Sequence, residues 1–178
     1  MSCTTIIIDD AGSGDLLFGV VVGAYRSETR EFRYGIVEAR YFQSPSFRRK
    51  EYLKQTSRTV FQLLERLELK LEEPLLICRG FIFDNAAKDL EKKYGSAKIR
   101  RVKVTGEPQT LTETAYLDEI RNLGYEPIEQ REEKRGKSFF HMMRWLKKHP
   151  EKIKYAKTGW PRLQRYRLFK PDSQPDKR

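Results

Sequence analysis

Apolar residues near the start of this 178-residue chain fall into short runs that predict β-strands. The first run, residues 6–8, is continuous and β-branched, which is typical of a strand that is buried on both faces. A second apolar run spans residues 18–24, and residues 32–42 are rich in aromatic and β-branched side chains. Because only short polar turns separate these runs, we expect three antiparallel strands joined as a meander.

The rest of the body alternates between predicted helices and strands. Ser44 and Pro45 are typical of a helix start, and a helix is predicted over residues 46–69, where apolar residues recur at three- and four-residue spacing. A fourth strand begins at Leu75 and ends either at residues 79–80 or, if residues 81–83 continue it, at Asp84. In both cases a helix follows over residues 85–94. A fifth strand over residues 98–104 and a helix that ends near residue 123 complete the pattern.

The order of these elements predicts the fold class. Three strands, then helix, strand, helix, strand and helix, indicate an α/β protein with a mixed five-stranded sheet, antiparallel at first and parallel afterwards. We place one domain at residues 1–124 and a basic, aromatic C-terminal extension at residues 125–170. Residues 171–178 are polar and rich in charge and proline, and we expect them to be disordered.

Positive charge is concentrated near the C-terminus. The net charge is +11, and residues 134–170 hold thirteen Lys and Arg against the single acid Glu151. The remaining residues carry 23 basic and 24 acidic side chains, so the body is close to neutral. Basic side chains neutralise phosphates and aromatic rings stack on bases, which together predict a nucleic-acid partner. The predicted contacts are Lys147, Lys148, Lys154, Lys157, Trp160, Arg162 and Arg165.

Cysteine content and hydropathy bear on the compartment. Cys3 and Cys78 are too few for a disulfide framework and lack the spacing of metal ligands, which favours a reduced, cytoplasmic protein. Residue 9 is already an acid, so we expect no signal peptide. No apolar run approaches the roughly 20 residues of a membrane span, so we expect no membrane partner.

Two adjacent acids, Asp9 and Asp10, follow the first buried strand and precede a glycine-rich turn. Burying carboxylate charge is costly unless a cation compensates it, so the pair is either a solvated hairpin turn or a cation site. Sites in open sheets form at the carboxyl ends of parallel strands, where Asp84, Glu107 and Glu113 are further candidates. Carboxylates that converge there would bind Mg²⁺ or Mn²⁺. Asp84 has a second interpretation, as the N-cap of the helix over residues 85–94, and an earlier strand end would put Cys78 or Arg79 in its place.

The sequence Asp-Asp-Ala-Gly-Ser-Gly at residues 9–14, followed by the apolar residues 16–22, resembles the opening of the type 2 ribonucleases H. That family has Asp-Glu-Ala-Gly-Arg-Gly there, so Asp10 replaces its glutamate and Ser13 replaces the arginine that grips the ribonucleotide junction. The resemblance therefore implies Ser13 as a further nucleic-acid contact. The resemblance implies a ribonuclease H-like fold and metal-dependent hydrolysis of RNA or an RNA–DNA hybrid. It implies metal ligands at Asp9, Asp10 and Asp84, with Glu107 or Glu113 as the fourth catalytic acid. The alternative is a nucleic-acid-binding protein of the same fold with an incomplete metal site.

Overall fold

Strand β1 (Ile6–Ala11) is the central strand of a five-stranded mixed sheet in the computed structural model, which describes residues 4–170. Strands β2 (Val20–Arg26) and β3 (Glu31–Val37) continue the sheet antiparallel on one side of β1. Strands β4 (Leu75–Cys78) and β5 (Ile99–Val102) continue it parallel on the other side. The order is β3-β2-β1-β4-β5, which confirms the predicted α/β class and mixed sheet. The predicted disordered tail, residues 171–178, lies outside the described residues.

Helices cover both faces of this sheet, and each face has its own apolar core. Helices α1 (Glu51–Arg66) and α2 (Asp84–Tyr94) bury Val60, Leu63, Leu64 and Leu90 against Ile6, Ile8 and Val22. Helices α3 (Glu107–Asn122) and α4 (Arg135–Lys148) contribute to the second core, which contains Ala11, Leu17, Val21, Tyr116, Ile120, Met142 and Leu146. Within residues 4–170, no helix is both long enough and apolar enough to cross a membrane.

Two predicted boundaries are wrong. The third strand ends at Val37, and Ala39–Phe42 forms a 3-10 helix. Helix α1 begins at Glu51 and not at residue 46, and the residue before it, Lys50, has a φ of 55°. An L-residue in the left-handed region cannot continue a right-handed helix, so residues 44–50 form separate turns. The serine and proline signal at residues 44–45 marks one of these turns.

The C-terminal residues pack into the body. After α4 come three 3-10 helices, Pro150–Tyr155, Pro161–Arg165 and Arg167–Phe169. Ala156 forms an antiparallel bridge with Leu17, in the loop that follows β1. The backbone N–H of Phe18 donates to Tyr155 O at 2.6 Å, and that of Lys157 donates to Leu16 O at 2.8 Å. Residues 125–170, described above as an extension, therefore share the second core and hold the loop beside Asp9 and Asp10.

Candidate metal centre

The acidic cleft lies where β1 extends beyond its parallel neighbour. The pairing of β1 with β4 ends at Ile8 and Ile77, so Asp9 and Asp10 have no partner residue in β4. Their side chains line a cleft of about 360 Å³, together with Cys78 at the end of β4 and Lys103 just beyond the end of β5. The carboxyl ends of the three parallel strands thus meet at one edge, as a site in an open sheet requires.

Of the two carboxylates of β1, that of Asp9 is buried and that of Asp10 is half-buried. Asp9 is 6% exposed, and burial raises its pKa even though the Cys78 thiol and the Asp10 backbone N–H donate to it. Burial also raises the pKa of Asp10 to about 6, against a hydrogen bond from Ser13 that lowers it. The negative charge of Asp9 raises that pKa further. Within residues 4–170, neither acid forms an ion pair with a lysine or arginine. The charge of the buried Lys157 opposes the rise in the pKa of Asp10.

The donor atoms of Asp9, Asp10 and Cys78 suit a divalent metal ion. One ligand atom from each lies within 4.8 Å of the others. Magnesium is commonly held by one or two carboxylates, with water or phosphate oxygens completing its shell, and the two aspartates fit that pattern. The thiol is a softer ligand. Burial raises its pKa to about 11, so it is a neutral donor to Asp9 in the metal-free protein.

A buried arginine crosses the opposite wall of the cleft. Arg131 is 7% exposed and forms ion pairs with Asp15, Glu113 and Glu132. Burial nevertheless raises the pKa of Glu113 to about 7, because it outweighs the opposing effect of the Arg131 charge. The predicted catalytic acid Glu113 therefore lies in the same cleft as Asp9, in contact with a fixed positive charge.

Asp84 lies outside the acidic cleft, as the earlier strand end implied. The fourth strand stops at Cys78, and the chain then turns through the 3-10 helix Phe81–Phe83 into α2. Asp84 is the first residue of that helix and Phe83 is its N-cap, so the interpretation of Asp84 as the N-cap is wrong. One carboxylate oxygen of Asp84 accepts a hydrogen bond from each terminal nitrogen of Arg101, both at 3.3 Å. Cys78 therefore ends the fourth strand, at the position where the resemblance implied an acid.

Glu107 also lies outside the acidic cleft. It is the first residue of α3, where it accepts a hydrogen bond of 2.6 Å from the Tyr25 hydroxyl and pairs with Arg30. Tyr25 faces Ile7 across the β1–β2 pair, whereas Val22 faces Asp10, so Glu107 lies nearer the opposite end of the sheet. The hydrogen bonds from Arg30 and Tyr25 lower its pKa. Its contacts attach the start of α3 to the sheet.

The predicted nucleic-acid contact at Lys157 is contradicted by the structure, because the side chain of Lys157 is fully buried. Its ammonium nitrogen donates to the backbone oxygens of Asp15 and Phe18, each at 2.8 Å, within the loop of residues 12–19 that joins β1 to β2. Burial lowers its pKa to about 7. This lysine holds the loop of the acidic cleft in place and cannot contact a phosphate.

The other predicted nucleic-acid residues occupy different surfaces. Lys147 and Lys148 are exposed at the end of α4, and Lys154 is exposed beside the ring of Tyr155. Arg162 and Arg165 are exposed on the 3-10 helix Pro161–Arg165. The remaining two are partly buried: Trp160 packs on the second core, and Ser13 lines the acidic cleft.

Several residues of the cleft had no sequence prediction. Three of them, Arg131, Glu132 and Arg135, come from the segment that was predicted as a C-terminal extension. The mixture of acids and bases in that segment is the one sequence signal that could have indicated a role in the cleft. The same mixture is also typical of a solvated loop. Comparison of the chain with models of protein families, with curated proteins and with solved structures found no match.

Proposed function

We propose that this chain is a divalent-metal-dependent nuclease of ribonuclease H-like fold that hydrolyses phosphodiester bonds in RNA or an RNA–DNA hybrid. The observation that carries the proposal is the pair of adjacent acids, the buried Asp9 and the half-buried Asp10, neither of which forms an ion pair within residues 4–170. The strand order β3-β2-β1-β4-β5 supports it, since the acids lie on the central strand and at the carboxyl edge of the parallel strands.

Each residue of the cleft has a chemical part in this proposal. Asp9 and Asp10 would hold Mg²⁺ or Mn²⁺, and such an ion supplies Lewis-acid activation of a phosphate and of water. Glu113, with a pKa near 7, accepts a proton from the attacking water. Lys103 and Arg135, both exposed at the rim, attract the phosphate backbone.

One set of observations favours a second function, a nucleic-acid-binding protein without catalysis. Asp84 and Glu107 are paired with arginines elsewhere, and Arg131 already compensates Glu113. A site with two free carboxylates holds one ion, whereas a pair of ions needs more acidic ligands. Both functions share the nucleic-acid partner and differ in whether the cleft cleaves it.

Metal-dependent melting of the protein separates the two. A ligand that binds the native state alone stabilises it by about 2.7 kcal/mol at 100 times its Kd, so Mg²⁺ or Mn²⁺ should raise the melting temperature of the wild type. Asp9→Asn removes a buried charge whose pKa is raised, so this variant should melt higher than wild type without metal and gain little when metal is added. It should also fail to cleave a labelled RNA–DNA hybrid.

Asp118→Asn is the matched control, because Asp118 is exposed on α3 and its 3.8 Å pair with Arg121 is at the surface. It should respond to metal and cleave as the wild type does. If the wild type shows no metal-dependent rise in melting temperature and Asp9→Asn lowers the stability of the metal-free protein, Asp9 has only a structural role in β1. The function without catalysis would then replace the nuclease.

A further inference from the structure

A cationic groove borders the acidic cleft. Its lining side chains are of two kinds, arginines and aromatic rings, and it encloses about 500 Å³. We call it the arginine groove and define it by Arg135, Phe139, Phe140, Arg162, Arg165 and Tyr166. Gly14 and Arg135 line both the groove and the acidic cleft, so the two are continuous.

The arginines of the groove are free to bind an anion. Within residues 4–170, Arg162 and Arg165 form no ion pair, and no Asp or Glu lines the groove. Arg135 has one acidic neighbour, Glu132 at 3.4 Å, and is 77% exposed. Arg162 lies 4.8 Å from the ring of Trp160, which orients its side chain along the wall. Unpaired guanidinium groups are well matched to the phosphates of a polynucleotide.

The aromatic rings of the groove offer an open stacking surface. Phe140 is 48% exposed, although most large apolar side chains of the protein are covered. The rings of Phe139 and Tyr166 support it, with centroids 5.3 Å and 6.2 Å from that of Phe140. Stacking on such a ring requires a base with a free face, and unpaired strands provide it whereas bases inside a duplex are covered by their neighbours.

We propose that the arginine groove binds a single-stranded polynucleotide and leads it past Gly14 into the acidic cleft. This inference rests on the nuclease function proposed above and narrows its substrate to the first of the two named there, RNA, in single-stranded form. Phosphates contact Arg135, Arg162 and Arg165, and a base stacks on Phe140. A bound strand places its next phosphate at the rim, beside Asp10 and Arg135.

Binding in EDTA tests the groove apart from catalysis. Fluorescence anisotropy of a short fluorescein-labelled oligouridylate should show roughly ten- to hundredfold weaker binding for Phe140→Ala, the loss expected for one stacked base. Arg162→Ser/Arg165→Ser should bind more weakly and lower the log–log salt slope by about 1.4, for two lost phosphate contacts on a single strand. The matched control is Lys88→Ser/Lys92→Ser, which removes the same charge from exposed positions on α2.

Three outcomes would overturn the proposal: wild-type affinity in both groove variants, binding of the duplex as tight as that of the single strand, or equal competition by polyglutamate. Photocrosslinking with a 4-thiouridine oligonucleotide gives the location, and adducts at Phe139, Phe140 or Tyr166 support the groove. These experiments distinguish failure of the groove proposal from failure of the nuclease proposal. Groove-dependent binding without cleavage would leave this inference intact, and cleavage with unaltered binding in the variants would leave only the nuclease.

Discussion

The guanidinium of Arg131 lies between the carboxylates of Asp15 and Glu113 and forms an ion pair with each. Asp15 belongs to the loop after β1 and Glu113 to α3, so one buried side chain from residues 124–136 joins the two walls of the acidic cleft. Its planar fork of donors allows both pairs at once. Arg131 also lies 4.9 Å from the centroid of the buried ring of Tyr116.

Replacement of Arg131 should destabilise the protein strongly. Arg131→Met leaves the buried carboxylate of Asp15 and the half-buried one of Glu113 without compensation, and breaking a buried pair costs about 3–5 kcal/mol. Urea unfolding at pH 8 measures the free energy of unfolding. The control Arg121→Met removes a surface arginine that pairs with Asp118 and Glu126, and it should cost at most about 1 kcal/mol.

The pH dependence of the Arg131 variant has a defined sign. The pKa of Glu113 is raised to about 7 in the folded protein from 4.5, so this acid destabilises the fold as pH rises through that window. Without Arg131 its pKa rises further, and the loss of stability should be larger at pH 8 than at pH 5. Adding Glu113→Gln to the variant should recover part of it. Equal losses at both pH values would contradict this account.

Gly12→Ala should destabilise the protein more than Gly95→Ala. Both glycines have positive φ, 86° and 90°, so an alanine costs about 1–2 kcal/mol of backbone strain at each. A Cβ at Gly12 would also overlap the buried ring of Tyr116, whereas a Cβ at Gly95 meets nothing within 4 Å. Overpacking adds about 1–3 kcal/mol, so urea unfolding should show a difference of that size. Equal effects would mean that the Tyr116 ring can move aside.

Local patterns in the sequence predicted the order of the elements and the position of Asp9 and Asp10. Continuous β-branched runs and three- to four-residue apolar spacing are properties of neighbouring residues, so they can be recognised in a sequence without knowledge of the fold. The end of the fourth strand was ambiguous because residues 81–83 are apolar whether they extend a strand or pack as a 3-10 helix. The predicted role of Asp84 as a metal ligand depended on which of these two strand ends was correct.

The roles of Arg131 and Lys157 could not be predicted, because they depend on contacts between distant parts of the chain. Lys157 is buried because its segment bridges the loop at residues 16–18. A run of basic residues, taken by itself, predicts side chains that are exposed to solvent. That prediction is confirmed for Arg162 and Arg165 and is wrong for Lys157. The pairing of segments so far apart leaves no periodic signal in either one.

Lys157 should make the stability of the protein rise with pH above neutrality. Burial lowers its pKa to about 7 from 10.5, so the unfolded chain binds more protons than the folded one between these values. Lys157→Met removes this effect along with the bonds to Asp15 and Phe18. The stability difference between wild type and this variant should grow by up to about 1.4 kcal/mol per pH unit from pH 7 to 9. Lys148→Met, at an exposed position, should show a flat difference, and a flat difference for Lys157→Met would contradict the assignment.

Cys78 should extend the metal preference of the centre towards soft ions. Its sulfur lies within 4.8 Å of a carboxylate oxygen of Asp9 and of Asp10, and thiolates bind Zn²⁺ and Cd²⁺ far better than they bind Mg²⁺. The thiol is neutral in the metal-free protein, with a pKa of about 11, so binding of Cd²⁺ through sulfur must release its proton. Cd²⁺ should therefore raise the melting temperature more at pH 8 than at pH 6.

The comparison is best made in a Cys3→Ser background, which leaves Cys78 as the one cysteine of the chain. Cys78→Ser keeps a hydroxyl that can donate to Asp9 and removes the soft ligand. This variant should lose the extra stabilisation by Cd²⁺ and the ultraviolet thiolate-to-cadmium absorption, while its response to Mg²⁺ stays close to that of the background protein. If the absorption band persists after Cys78→Ser, or never forms in the background protein, the sulfur is not a ligand. Cys78 would then serve only as a hydrogen-bond donor that positions the Asp9 carboxylate.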